Sequence, residues 1–157
     1  MQVTLLLVGK TEDSYLVEGI EKYVKRIKRY IKFDMLTIPA LKNTKNLTAE
    51  EQKKKEGILL LERANAYDQL ILLDDKGREF SSIAFAKEME SMMNSSIRKV
   101  CFAIGGPYGF SEAVYAEASR KLSLSKMTFS HQLIRLLFVE QFYRTFTIIN
   151  NEPYHHE

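Results

Sequence analysis

The chain is short of several things that other protein classes need. It has one cysteine, Cys101, so an internal disulfide is excluded and a reducing compartment is expected. It has no tryptophan and only three prolines in 157 residues, and no low-complexity or linker-like stretch. No apolar run approaches the roughly 20 residues of a membrane span. The start, MQVTLLLVGK, is apolar but lacks a basic opening and a small-residue cleavage site, so no secretory signal is expected. A cytoplasmic protein is the expectation. Neither charge dominates: the formal net charge is +3, which permits an RNA or phosphate partner without demanding one. Cys101 lies inside an apolar run with nothing beside it to favour a thiolate, so it reads as a small core residue rather than a nucleophile.

What remains is an alternation of two periods. Val3 to Val8 is a continuous apolar run, the pattern of a strand covered on both faces. Leu16, Ile20, Tyr23, Val24, Ile27 and Ile31 then recur at helical spacing, with Lys22, Lys25, Arg26, Lys28, Arg29 and Lys32 on the other face. Phe33 to Ile38 is a second strand stopped by Pro39, and LKNTKN is a loop. Thr48 and Glu51 form a capping box for a helix reaching about Asn65. Leu70 to Leu73 is a third strand turned by DDKG. A helix capped by Ser82 follows and runs to about Met93. Val100 to Ile104 is the fourth strand. A short helix opens at Ser111, Leu122 to Leu124 is a fifth strand, and a long helix runs from about His131 to Ile149. This order predicts an α/β fold in one domain, residues 1–157, with a mostly parallel sheet and helices on both faces.

Glycine is scarce, and its distribution is informative. Three of the seven glycines, Gly105, Gly106 and Gly109, fall within five positions at the carboxyl end of the fourth strand. Ligands of open parallel sheets bind at that edge, and glycines let a ligand approach the backbone. A ligand-free strand-to-helix turn needs them equally. There is no G-x-G-x-x-G after the first strand and no Walker A loop, so a nicotinamide cofactor and a P-loop are disfavoured. A second loop, Leu124 to Ser130, is rich in hydroxyls and ends another strand at the same edge. Two such loops make a binding site there the stronger reading. The tail, Pro153-Tyr154-His155-His156, reads from composition alone as a solvated end. His155 and His156 lack further ligands at metal-binding spacing. Glu140 and Arg144 read as an intrahelical pair.

The stretches AIGGPYGF, LSLSKMTFSHQLIRLLFVEQFYR and the terminal PYH together resemble the RlmH family of bacterial ribosomal RNA methyltransferases, of the SPOUT or α/β-knot class. The resemblance extends over essentially the whole chain. It implies a C-terminal trefoil knot, S-adenosylmethionine as methyl donor, no metal, and a homodimer. It implies methylation of N3 of pseudouridine 1915 in 23S rRNA of the assembled ribosome. On matching positions it places the methyl donor against Leu73, Gly105, Leu124, Ser125, Lys126, Met127, Thr128 and Phe129. It places Tyr154 and His155 by the reacting base, with Arg135, Arg144 and His156 toward RNA. The family commonly has a basic residue where this chain has His156, which puts one phosphate contact in doubt. A pseudouridine N3 is protonated at neutral pH, so a base is required, and a histidine with an ordinary pKa of about 6.5 suits that task. Two rivals stay open at this point: a non-catalytic ribosome- or RNA-binding module, and a flavodoxin-like nucleotide-binding protein.

Overall fold

The period-2 alternation of the strands divides the core. In the computed structural model, which describes residues 1–156, Val3, Leu5 and Leu7 of strand β1 (Gln2–Val8) point into one cluster while Leu6 and Val8 point into another. Strand β4 (Lys99–Ile104) does the same: Val100, Phe102 and Ile104 face one side, Cys101 and Ala103 the other. Both sides are therefore covered, which is why these runs carry almost no polar residue. Each such side chain, fully buried, contributes about 1.5–3 kcal/mol.

One face carries helices α1 (Ser14–Ile27), α3 (Ser82–Met93) and α5 (Leu133–Ile149), which pack on one another. The other carries α2 (Ala49–Ala64) and α4 (Glu112–Glu117). With β2 (Lys32–Ile38), β3 (Gln69–Glu79) and β5 (Arg120–Ser123), the sheet has the order β2-β1-β4-β3-β5, and every pairing is parallel. A file of rings on α5 fills the first face. Phe138 stacks on Phe142 at 5.5 Å, Phe142 meets Phe146 edge-on at 5.1 Å, and Phe102 of β4 lies 5.0 Å from Phe138.

The sequence reading needs adjustment at four ends. The box of Thr48 and Glu51 is present with both of its hydrogen bonds. The α3 cap is Ser81, whose Oγ accepts from the Ala84 amide at 3.2 Å, so Ser82 is the first helical residue instead. The fifth strand begins at Arg120, two residues before the expected Leu122, and ends at Ser123, and α5 begins at Leu133 rather than His131. The largest difference is β3, which continues through DDKGRE to Glu79 instead of turning at Leu73. Ile71, Leu72 and Leu73 pair with Arg120, Lys121 and Leu122; the chain bulges, and Arg78 and Glu79 pair again with Leu122 and Ser123. At this bulge Gly77 lies on the neighbouring backbone. A Cβ there would stand 2.6 Å from the Leu122 carbonyl carbon and 2.7 Å from its nitrogen, so no larger residue fits without displacing β5.

Candidate methyl-donor cavity and tail

The carboxyl ends of β3, β4 and β5 open into one cavity of about 500 Å³, the size of small-molecule sites and at the edge where such sheets bind ligands. Leu73 ends the first apolar stretch of β3. Gly105 follows β4. Leu124, Ser125, Met127, Thr128 and Phe129 come from the loop after β5. All seven line the cavity. Lys126, expected with them, does not.

The hydroxyls of that loop hold its own backbone. Ser123 Oγ donates to the Ser125 carbonyl at 2.8 Å, Ser125 Oγ accepts from the Met127 amide at 2.9 Å, and Ser130 Oγ accepts from the Leu133 amide at 3.1 Å. They shape the wall rather than reach into the space. Two large lining side chains stand uncovered: Met127 is 75% exposed and Tyr108 55%.

Several lining residues carried no clear sequence signal. Asp74, Asp75 and Glu112 give this edge an acidic side, and Lys53 reaches it from α2. Asp74 is fixed, accepting from the Tyr115 hydroxyl at 2.5 Å and from the Lys76 amide at 2.9 Å. Burial, then the Asp74 carboxylate, pushes the Tyr115 hydroxyl far above its ordinary pKa, so it stays a donor. His131 also lines the cavity. Its burial and the neighbouring Arg135 charge hold its pKa below the ordinary value, which keeps the imidazole neutral at pH 7. The motif F-x-H-x-L-x-R was the one hint to His131.

Of the first loop's glycines, Gly106 is crowded from inside the protein, whereas Gly109 has open space around it and a positive φ of 80°. A Cβ on Gly106 would lie 2.5 Å from Glu56 Oε2 of α2. At that position the bare backbone accommodates a carboxylate of the same chain, not a ligand.

Arg135 is a correction. It is fully buried. Its guanidinium donates to the carbonyls of Val8 at 2.7 Å, Gly9 at 3.0 Å and His131 at 2.9 Å, and to Thr11 Oγ1 at 3.0 Å. Five donors in a planar fork suit that set of acceptors. It ties the end of β1 to the start of α5 and cannot face an RNA phosphate. Cys101 is buried as expected, with its thiol pushed up to about 12 by burial.

The tail lies elsewhere. Arg144 pairs with Glu140 at 2.6 Å, the intrahelical contact expected from spacing. Tyr154 donates to Glu140 Oε1 at 3.0 Å, lies 3.3 Å from the Tyr23 hydroxyl, and meets the Tyr143 ring edge-on at 4.8 Å. Arg144 stands 4.8 Å over the Tyr154 ring and 3.4 Å from His155 Nδ1. The tail is thus docked on α1 and α5, not frayed. His155 is half-buried there, and His156 is exposed. Neither Tyr154, His155 nor Arg144 lines the cavity. Ile134 does, and Arg144 is ten residues further along α5, about 15 Å at 1.5 Å per residue. The two groups of expected site residues are not brought together in one chain.

Among the described residues no cluster of three or more His, Cys, Asp or Glu is placed to hold a metal ion, and no helix is long and apolar enough to cross a membrane.

Comparison with known proteins matches residues 1–155 to the family described as "Predicted SPOUT methyltransferase". Proteins of Parabacteroides distasonis and Flavobacterium johnsoniae are each 54% identical to this chain over the full length of both, and one of Bacteroides thetaiotaomicron is 53% identical over the full length of both. All three bear the name "Ribosomal RNA large subunit methyltransferase H". Among solved structures, a probable methylase family protein from Haemophilus influenzae superposes with a TM-score of 0.57 at 8% identity, over 99% of this chain and 70% of the other. A probable methyltransferase from Bordetella pertussis gives 0.55 at 10% identity, over 92% and 95%. At such identities the likeness is one of fold.

Proposed function

This chain belongs to the SPOUT methyltransferase family, and from that premise we propose that it methylates ribosomal RNA of the large subunit, with S-adenosylmethionine as donor, in the cytoplasm and as one domain. The finer reading is methylation of N3 of pseudouridine 1915 in 23S rRNA within the assembled ribosome. The observation that carries the reading is the cavity at the strand ends, lined by seven of the eight positions that the family resemblance points to.

The cavity suits the donor chemically. Leu73, Leu124 and Met127 offer apolar surface for a flat base, and the turn backbone offers amides and carbonyls for its edge. Asp74, Asp75 and Glu112 give a negative side that favours a cationic ligand. Once bound, S-adenosylmethionine supplies an electrophilic methyl group. Leu73, Gly105 and the 124–129 loop hold it and exclude water. The bulged pairing of β3 with β5 holds the two loops of the cavity side by side, an arrangement in keeping with the knot that the family resemblance implies.

On the acceptor side, His155 takes the N3 proton of the pseudouridine and Tyr154 stacks on or orients its base. Since both lie on the far part of α5 in their own chain, a second copy completes each cavity with its tail. A homodimer is therefore part of the proposal. Exposed His156 and the basic face of α1 are the candidates for phosphate contact. Arg144 is held by Glu140 and acts on the tail first.

The test is methyl incorporation from labelled S-adenosylmethionine into ribosomes lacking the modification, with naked 23S rRNA alongside. Label in whole ribosomes, mapped to the pseudouridine N3, supports the full reading. Donor binding without incorporation leaves the cavity and overturns the acceptor. No donor binding overturns the methyltransferase reading in favour of a non-catalytic RNA-binding module.

A further inference from the structure

The Gly105–Gly109 loop has a second side. Together with Lys53 and Phe110, three of its glycines line both the large cavity and a pocket of only about 10 Å³ beneath it, about the space of one water molecule. Two polar side chains face that small pocket, and each is more than nine-tenths buried: Glu56 at 5% exposed and Ser111 at 4%. Glu56 Oε1 accepts from Gln52 Nε2 at 2.9 Å, but Glu56 Oε2 and Ser111 Oγ have no hydrogen-bond partner. A buried carboxyl group with an unpaired oxygen is costly, and helix packing alone does not require one. The carboxyl is also where the loop's shape is decided, since Oε2 occupies the place a Gly106 Cβ would take.

We propose that Glu56 is a positioning residue for the methyl-donor cavity: pressed against Gly106 from behind, it sets where the Gly105–Gly109 wall stands. The inference rests on reading that cavity as the donor site. Burial raises the carboxyl's pKa, and the hydrogen bond from Gln52 opposes part of that rise. Gln52 and Ser111 are neutral, and Lys53, on the rim, pairs with Glu50. The carboxyl acts on the loop by its shape, so an amide of nearly the same shape can substitute for the acid.

The test is titration of the full chain with S-adenosylhomocysteine, alongside the maximal methylation rate. Glu56→Ala is expected to weaken binding at least about tenfold while the rate at saturating donor stays within about threefold, the split of a binding-side defect. Glu56→Gln is expected to bind within about threefold of the unmodified chain. Gly106→Ala is expected to weaken binding, and the double variant Gly106→Ala/Glu56→Ala to bind better than the two single losses multiplied together, since one change removes the clash of the other. Unchanged binding in Glu56→Ala overturns the inference, as does Glu56→Gln no better than Glu56→Ala, or multiplicative losses in the double variant. If Glu56→Ala does not fold, Glu56→Gln and Gly106→Ala decide: the first binding normally and the second weakly supports the inference, and any other pattern overturns it. Failure of the unmodified chain to bind overturns the donor reading itself.

Discussion

The cavity end of α5 and the tail end of the same helix are built on opposite terms. At the cavity end, loops from three strands meet over a space of about 500 Å³, and their serines, Asp74 and Arg135 are spent on fixing their own chain. At the tail end, Tyr154, Arg144 and Glu140 form a cluster with Tyr23 and Tyr143, apart from that cavity, with His155 beside Arg144. The first region can bind by itself. On the proposed reading the second supplies the acceptor-side chemistry, so binding and chemistry are expected to be separable by mutation and into different copies.

The sharpest cut is His155→Ala. It is expected to lower single-turnover methylation about 10²- to 10⁴-fold, the range for loss of a general base, with S-adenosylhomocysteine affinity within twofold. Turnover near that of the unmodified chain removes His155 from the chemistry.

Next is Arg135→Ala, which strands the carbonyls of Val8 and Gly9 and leaves a hole beside α5. Its expected cost is about 2–4 kcal/mol in denaturant unfolding. Arg135→Lys recovers only part, because an ammonium lacks the planar fork. A surface-like effect below about 0.5 kcal/mol would return Arg135 to the pool of RNA contacts.

Glu140→Gln weakens the anchor of both Arg144 and Tyr154. A fall of about three- to tenfold in methylation with unchanged donor affinity is expected, on the scale of one charge-assisted hydrogen bond. A change in donor affinity instead would mean that the two ends are coupled through the helix.

The smallest effect is a pH dependence away from both ends. The Asp68 carboxylate accepts from the amides of Arg98 and Lys99 at 2.8 Å each, and these bonds hold its pKa below the ordinary carboxylate value. Its contribution is complete above that ordinary value and fades as the pH falls through the lowered one. Asp68→Asn is expected to flatten the acid limb of the unfolding curve without changing donor binding at neutral pH.

How much was legible follows the same division. The alternation in β1 and β4 is a direct consequence of burial on two faces, so a parallel sheet with both faces covered and its binding edge could be read from LLLV and VCFAI, whereas the order of the strands in the sheet could not. The capping box could be read from Thr48 and Glu51 because the signal is local. The extension of β3 could not be read, since DDKGRE is charged and contains a glycine, and only the bulged pairing with β5 shows why Gly77 is needed there. Arg135 carries the letter of a surface residue, and all but one of its acceptors lie more than 120 positions away. Glu56 hides in the charged run EEQKKKEG, where nothing sets it apart until α2 meets the glycine loop. The tail was read from resemblance alone: composition suggested a solvated end, and its docking depends on Tyr23 and Tyr143.

The direct test is complementation between two inactive variants. One carries Leu124→Arg, which sets a cation in a cavity that must take a cationic donor; the other carries His155→Ala. If each cavity is completed by the tail of a second copy, co-refolding equal amounts restores about a quarter of full activity, since half the dimers are mixed and each has one intact site of two. If cavity and tail act within one chain, every site in the mixture carries a defect, and activity stays at the level of the separate variants.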